Sequence, residues 1–240
     1  MRLNKYLAHA GVASRRKCDQ FIEQGKVLIN GRIMKDFSYS VDSADIVMCN
    51  GIMIDSMPRR KVFLVNKLKG YISTSLDPHN RKKVIDLINS NDRLFTVGRL
   101  DRDTTGAILV TNDGELANIL MHPRNRIERI YSVLTKIDIP RSKYDTLQKG
   151  IHLDKHAVAY GKIHRLGIEN GLFHWKVILH EGKNHEVKRI FKVLDSKVIH
   201  LHRYSFAGIS IEHIFPGKYR ELKRNEIEGL LKLEQLSVKK

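Results

Sequence analysis

The sequence predicts an α+β chain in two parts. A small N-terminal α/β module covers residues 1–58. A larger domain, residues 61–232, sets helices against a mixed, largely antiparallel β-sheet. Three observations lead there. Residues 1–35 compress two short helix patterns and an Asn-Gly turn into one stretch. Beyond Lys61, strand-sized apolar runs and helical periodicities interleave without regular βαβ units. Finally, 240 residues that are 42% hydrophobic and 29% charged suffice for one large or two unequal packed cores.

In the first part, Leu3 and Leu7 stand at helical spacing in "RLNKYLAHAG", and Gly11 can end that helix. Ser14 is placed to cap a second helix, "RRKCDQFIEQG", whose Cys18, Phe21 and Ile22 share one face before Gly25. "KVLINGRIM" predicts two short strands around Asn30-Gly31, and "DSADIVMCNGIMI" predicts more strands. "DSMPRR", Asp55 to Arg60, reads as a linker. In the second part, "KVFLVNK", "LFTVG", "AILVTND", "RIYSVLTKI" and "FHWKVILHE" predict strands. "KKVIDLIN", "GELANILMHP" and "NHEVKRIFKVL" predict helices. Residues 233–240 read as a frayed tail.

The net charge of +17, from 43 basic and 26 acidic residues, favours polyanionic partners. It is uneven: residues 1–35 hold eight basic side chains against Asp19 and Glu23. Among them Arg15, Arg16 and Lys17 open the second helix, where N-terminal amides also favour phosphate; a solvated helix face is the plainer alternative. A membrane partner is not expected, since apolar runs such as "VFLV" are far shorter than a span and "MRLNKYLAHAG" lacks a signal peptide's apolar core. Cys18 and Cys49 make no disulfide framework, which suits the cytoplasm. His152 and His156, and His200 and His202, lack companions at metal-ligand spacing, so no metal is expected.

Three places carry possible chemistry. Asp101 follows the "LFTVG" strand and lies between Arg99 and Arg102. Opposite charge nearby favours an ionised carboxylate, which either ties down a loop or acts as a nucleophile on a sugar or activated base carbon. Tyr131, in an alternating strand, reads by itself as packing. In the helix after Asn184, Val187, Ile190, Phe191 and Leu194 form the face to be buried. His185, Lys188, Arg189 and Lys192 lie beside it, with phosphate contact the natural use of Arg189 and Lys192.

"RLNKYLAHAGVASRRKCDQFIEQGKVLINGRI" resembles the small RNA-binding module named after the fourth small-subunit ribosomal protein. "VNKLKGYISTSLDP", "GRLDRDTTGAILVTNDGELANILMHP" and "EGKNHEVKRIF" resemble, in order, the blocks of the RsuA-like pseudouridine synthases, which modify single uridines in ribosomal RNA. The resemblance covers about 220 residues. It implies that Asp101 is the catalytic nucleophile, that Tyr131 stacks on a flipped uracil and is a candidate base, and that Lys188 pairs with the aspartate. Arg99 and Arg102 match positions flanking the nucleophile. Lysine stands at 188 where many members have arginine, and cannot form a bidentate fork, which leaves Arg189 and Arg99 as alternative partners of Asp101. An isomerisation needs no cofactor, and no nucleotide-binding loop is present.

The expected function is therefore conversion of a ribosomal uridine to pseudouridine, in the large subunit rather than the small, by a monomer acting on ribosomal RNA or an assembly intermediate. The rivals are a non-catalytic RNA-binding or ribosome-assembly factor and, more remotely, a metal-dependent nuclease.

Overall fold

The computed structural model describes residues 1–54 and 58–237; residues 55–57 of the expected linker and 238–240 of the expected tail lie outside the described residues. The chain divides into two compact units. One holds Met1–Lys61 with Ser90–Arg93 and Asn112–Gly114, and the other holds the remainder.

In the first unit, α1 (Leu3–His9) and α2 (Arg15–Glu23) stand before β1 (Val27–Ile29), β2 (Arg32–Ile33), β3 (Val47–Cys49) and β4 (Ile52–Met53). The Ser14 hydroxyl accepts the Lys17 amide at 3.2 Å, a cap that satisfies one of the orphan donors of α2. Cys18 and Ile22 face inward with Leu3 and Leu7 onto Val27 and Val47. The sheet runs β2-β1-β3-β4, all antiparallel. Asn30 and Gly31 both take positive φ, 51° and 79°, the backbone that matches strand twist in a two-residue turn.

The second unit opens with β5 (Val62–Lys67), β6 (Phe95–Thr96), β7 (Thr105–Thr111), α3 (Gly114–Met121) and β8 (Arg129–Thr135). It continues with α4 (Thr146–Lys149), β9 (Ile151–His152), β10 (Val158–Ala159), β11 (Gly161–Glu169), β12 (Leu172–Leu179) and α5 (Glu186–Val193). β13 (Val198–Phe206), β14 (Ile209–Ser210), β15 (Tyr219–Glu221) and α6 (Arg224–Ser237) complete it. The main sheet runs β11-β12-β8-β13-β7-β5-β15, with β6 on β7 and β14 on β13. Every pairing is antiparallel except β13 with β7. There Gly106 meets Arg203; a Cβ on Gly106 would lie 2.2 Å from the Arg203 carbonyl oxygen, so only glycine allows the approach.

Period-two alternation divides the sheet between two cores. Val65, Ile108, Val133, Trp175 and Val177 face α5, which supplies Val187, Ile190 and Phe191. Leu64, Ala107 and Leu109 face the other way, onto Leu116 and Leu120 of α3 and Leu230 of α6. β5 is thus buried on both faces, which is why "VFLV" is a continuous apolar run. Trp175 is fully buried, and its ring nitrogen donates to Thr135 Oγ1 at 3.0 Å.

Three expectations change. "KKVIDLIN" forms only a 3₁₀ turn, Val84–Leu87, because Lys83 bridges to Ile72 and Ile88 is extended. The strand at "LFTVG" shrinks to Phe95–Thr96. The expected tail instead continues α6 as far as Ser237. Ile227, Leu230 and Leu231 give that helix an apolar face, and Glu226 is gripped by Arg220 at 2.7 Å. No helix among the described residues is long and apolar enough to cross a membrane.

Candidate active site

Asp101 sits in the loop between β6 and β7, and Lys67, the last residue of β5, holds that loop from below. The Lys67 side chain is fully buried. Its Nζ donates to the carbonyls of Leu68, Asp101, Arg102 and Thr104 at 3.1, 3.0, 3.2 and 2.6 Å. Burial pulls its ammonium down to about 8, with the carboxylates of Asp101 and Asp103 pulling it back up. The Ser73 hydroxyl closes the other side, donating to the Leu100 carbonyl and accepting the Leu100 amide, each at 3.1 Å.

The Asp101 carboxylate turns to α5. Lys188 Nζ lies 3.1 Å from Oδ2 and His185 Nδ1 lies 2.9 Å from the same oxygen. The α5 face named from the sequence is buried as expected, and it aims Lys188 at the loop. Arg189, one residue on, points elsewhere and pairs with Asp154. Lys192 is exposed. Arg99 and Arg102 are exposed too, and neither is an ion partner of Asp101 among the described residues, so the counter-charge comes from α5 and not from the flanking arginines. His185 begins α5 in left-handed backbone, φ 49°, and its side chain makes no cap. The Lys183 amide donates to Glu186 Oε2 at 2.9 Å instead; burial raises the Glu186 carboxyl, and that hydrogen bond opposes the rise.

Tyr131 faces inward from β8 and is 8% exposed. It belongs to the core, as its alternating strand suggests, yet it also lines a cavity of about 710 Å³ together with Asp101 and His185. Arg203 opposite it on β13 is 3% exposed. Its Nε donates to the Ala107 carbonyl at 2.6 Å, while its Nη2 has no hydrogen-bond partner among the described residues. The guanidinium groups of Arg203 and Arg129 lie 4.7 and 5.3 Å from the Phe206 ring centre. Burial lowers the affinity of both arginines for their proton.

Arg15, Arg16 and Lys17 are exposed at the start of α2, with Lys17 Nζ 3.1 Å from Gln20 Oε1 and 5.4 Å from the Phe21 ring centre. Among the described residues no three His, Cys, Asp or Glu side chains gather where they could hold a metal ion.

Sequence reasoning missed Lys67, Arg203 and the role of His185. A lysine ending an apolar strand and an arginine inside one read as solvent-facing, and only the closed sheet shows otherwise. For His185 a signal existed: positions 185 and 188 are three apart and share a helix face.

Residues 61–192 match the family described as RNA pseudouridylate synthase, and residues 1–47 match the S4 domain. The chain is 37% identical over 232 residues to the ribosomal large subunit pseudouridine synthase B of Bacillus subtilis, covering 95% of each chain. It is 33% identical to the protein of the same name from Pseudomonas aeruginosa, covering 95% of this chain and 61% of that one. A crystal structure of a pseudouridylate synthase superposes with a TM-score of 0.69 at 27% identity, over 96% of this chain and 99% of that one. On these grounds the chain belongs to the RNA pseudouridylate synthase family, and is an RNA pseudouridine synthase with an N-terminal S4 domain.

Proposed function

We propose that this enzyme converts a single uridine of large-subunit ribosomal RNA to pseudouridine, with Asp101 as the nucleophile. The observation that carries the reading is that Asp101, ion-paired with Lys188, lines a cavity that Tyr131 also lines. The names of the Bacillus and Pseudomonas relatives support the choice of subunit.

Uridine and pseudouridine are isomers. The net change replaces the C1′–N1 bond with C1′–C5, and one proton leaves C5 while one is gained at N1. The Asp101 carboxylate attacks the sugar or an activated base carbon, and the C1′–N1 electron pair leaves with the base. The base turns, C5 bonds to C1′, and the carboxylate is released with its own electron pair. Lys188 lies beside the carboxylate as its counter-charge, and Lys67 holds the backbone beneath it. The target base must leave its stack to reach Asp101; Tyr131 offers it a ring, worth roughly 1–3 kcal/mol per base, and its hydroxyl takes the C5 proton while passing its own on towards N1 or solvent.

Residues 1–58 act as the RNA-binding module and 61–232 as the catalytic domain. Arg15, Arg16, Lys17, Arg99, Arg102 and Lys192 meet phosphate. Arg189, paired with Asp154, meets it only by giving up that partner. The chain works as a cytoplasmic monomer on ribosomal RNA or an assembly intermediate.

Tritium release from a large-subunit ribosomal RNA transcript labelled at uridine C5 is the test. Wild type releases label and Asp101→Asn does not; equal release by both removes Asp101 from the mechanism. Mapping pseudouridine in ribosomal RNA of a deletion strain reads the subunit, and loss of a small-subunit site would overturn the large-subunit assignment.

A further inference from the structure

Two side chains reach the Asp101 carboxylate, His185 as a hydrogen-bond partner and Lys188 as an ion pair, and both approach the same oxygen. His185 Nδ1 is 2.9 Å from Oδ2, and Lys188 Nζ is 3.1 Å from Oδ2. Oδ1 has no partner among the described residues. A carboxylate accepts and does not donate, so the hydrogen between His185 and Asp101 is on Nδ1. The two groups come from one place, the residue before α5 and the first turn of α5, three positions apart. His185 holds left-handed backbone, φ 49°, a region in which histidine is found more often than most non-glycine residues. From the other side, Lys67 Nζ fixes the Asp101 carbonyl at 3.0 Å. Backbone and carboxylate are thus held separately, and one carboxylate oxygen is engaged while the other is left open.

We infer that His185 is a positioning residue that, with Lys188, locks Oδ2 and leaves Oδ1 as the attacking atom. This rests on the reading of Asp101 as the nucleophile. Lys188 supplies charge on a flexible stem, whereas His185 makes the one side-chain hydrogen bond that the carboxylate has among the described residues. In the reaction Oδ1 forms the bond to the electrophilic carbon and later takes its electron pair back, while Oδ2 keeps both partners throughout.

The experiment compares His185→Asn, His185→Gln and His185→Leu in the full chain. The amide nitrogen of asparagine overlays Nδ1, whereas that of glutamine overlays Nε2, and asparagine tolerates left-handed backbone. Tritium release is followed under single turnover on large-subunit ribosomal RNA transcript, with KM measured separately. The leucine variant is expected to lose about 10–100-fold in rate with KM little changed, as misplaced reacting groups do. Asparagine is expected to restore most of the rate and glutamine not. Rescue by glutamine alone, equal behaviour of asparagine and glutamine, or a leucine variant as fast as wild type overturns the inference. Should leucine unfold the protein, the asparagine and glutamine variants still decide it. Failure of the underlying reading shows separately, as activity retained in Asp101→Asn.

Discussion

The Nζ of Lys67 serves four carbonyl oxygens with three hydrogens, and with Ser73 it holds the loop that carries Asp101. Lys67→Met keeps the volume but removes every donor. It should cost roughly 1–3 kcal/mol, because buried acceptors lose their partner. It should also lower kcat, since the carboxylate moves with the loop; denaturant unfolding and single-turnover tritium release measure the two effects. His202 gives a second residue-scale prediction. Burial depresses its imidazole below the ordinary 6.5, and its Nδ1 lies 2.8 Å from Thr105 Oγ1. The folded state then holds fewer protons than the unfolded chain below that value. The stability this group contributes is present above pH 6.5 and is lost as pH falls through the depressed folded value. Thermal melting of wild type should weaken more between about pH 7.5 and 5.5 than that of His202→Gln; parallel curves would dismiss the effect. Single side chains were unevenly legible. Asp101, Tyr131 and Lys188 could be named from motifs, Lys188 already as the partner of Asp101, but the contact of His185 with the same carboxylate depends on where α5 docks, which no local pattern encodes.

At the scale of elements, amphipathic periodicity held for α5 and failed for "KKVIDLIN", which forms only a 3₁₀ turn. The α5 face Val187, Ile190, Phe191 and Leu194 is buried as its spacing requires. β13 escaped detection because its inward positions include Arg203 and Ser205, which erase the alternation. β11 escaped because, at the sheet edge, most of its side chains are exposed. The join of β13 to β7 is the most demanding approach in the sheet. Gly106→Ala would press a Cβ to 2.2 Å from the Arg203 carbonyl at φ 104°. Strain and overpacking together should cost roughly 2–5 kcal/mol, read as a lower denaturant midpoint. A variant as stable as wild type would mean that the two strands can part without loss.

Across the whole molecule, the charge of +17 is the dominant electrostatic fact. RNA affinity should fall at least ~10-fold between roughly 50 and 200 mM salt, as counterions released on binding regain their place. Reversing Arg15, Arg16 and Lys17 to glutamate should flatten that dependence, by about 0.7 in log–log slope for each phosphate no longer neutralised, while single-turnover rate at saturating RNA stays the same. A flat salt response in wild type would exclude the electrostatic account. The strand order holds a further consequence. β11, β12 and β8 form one set of neighbours and β7, β5 and β15 another, and β13 alone lies between them. Asp101 leads into the second set and Tyr131 stands on the first. Pairings this distant along the chain form late, after the entropy of closing a long loop has been overcome. The two sets of strands therefore become one sheet only when residues 198–206 pair with β8 on one side and β7 on the other.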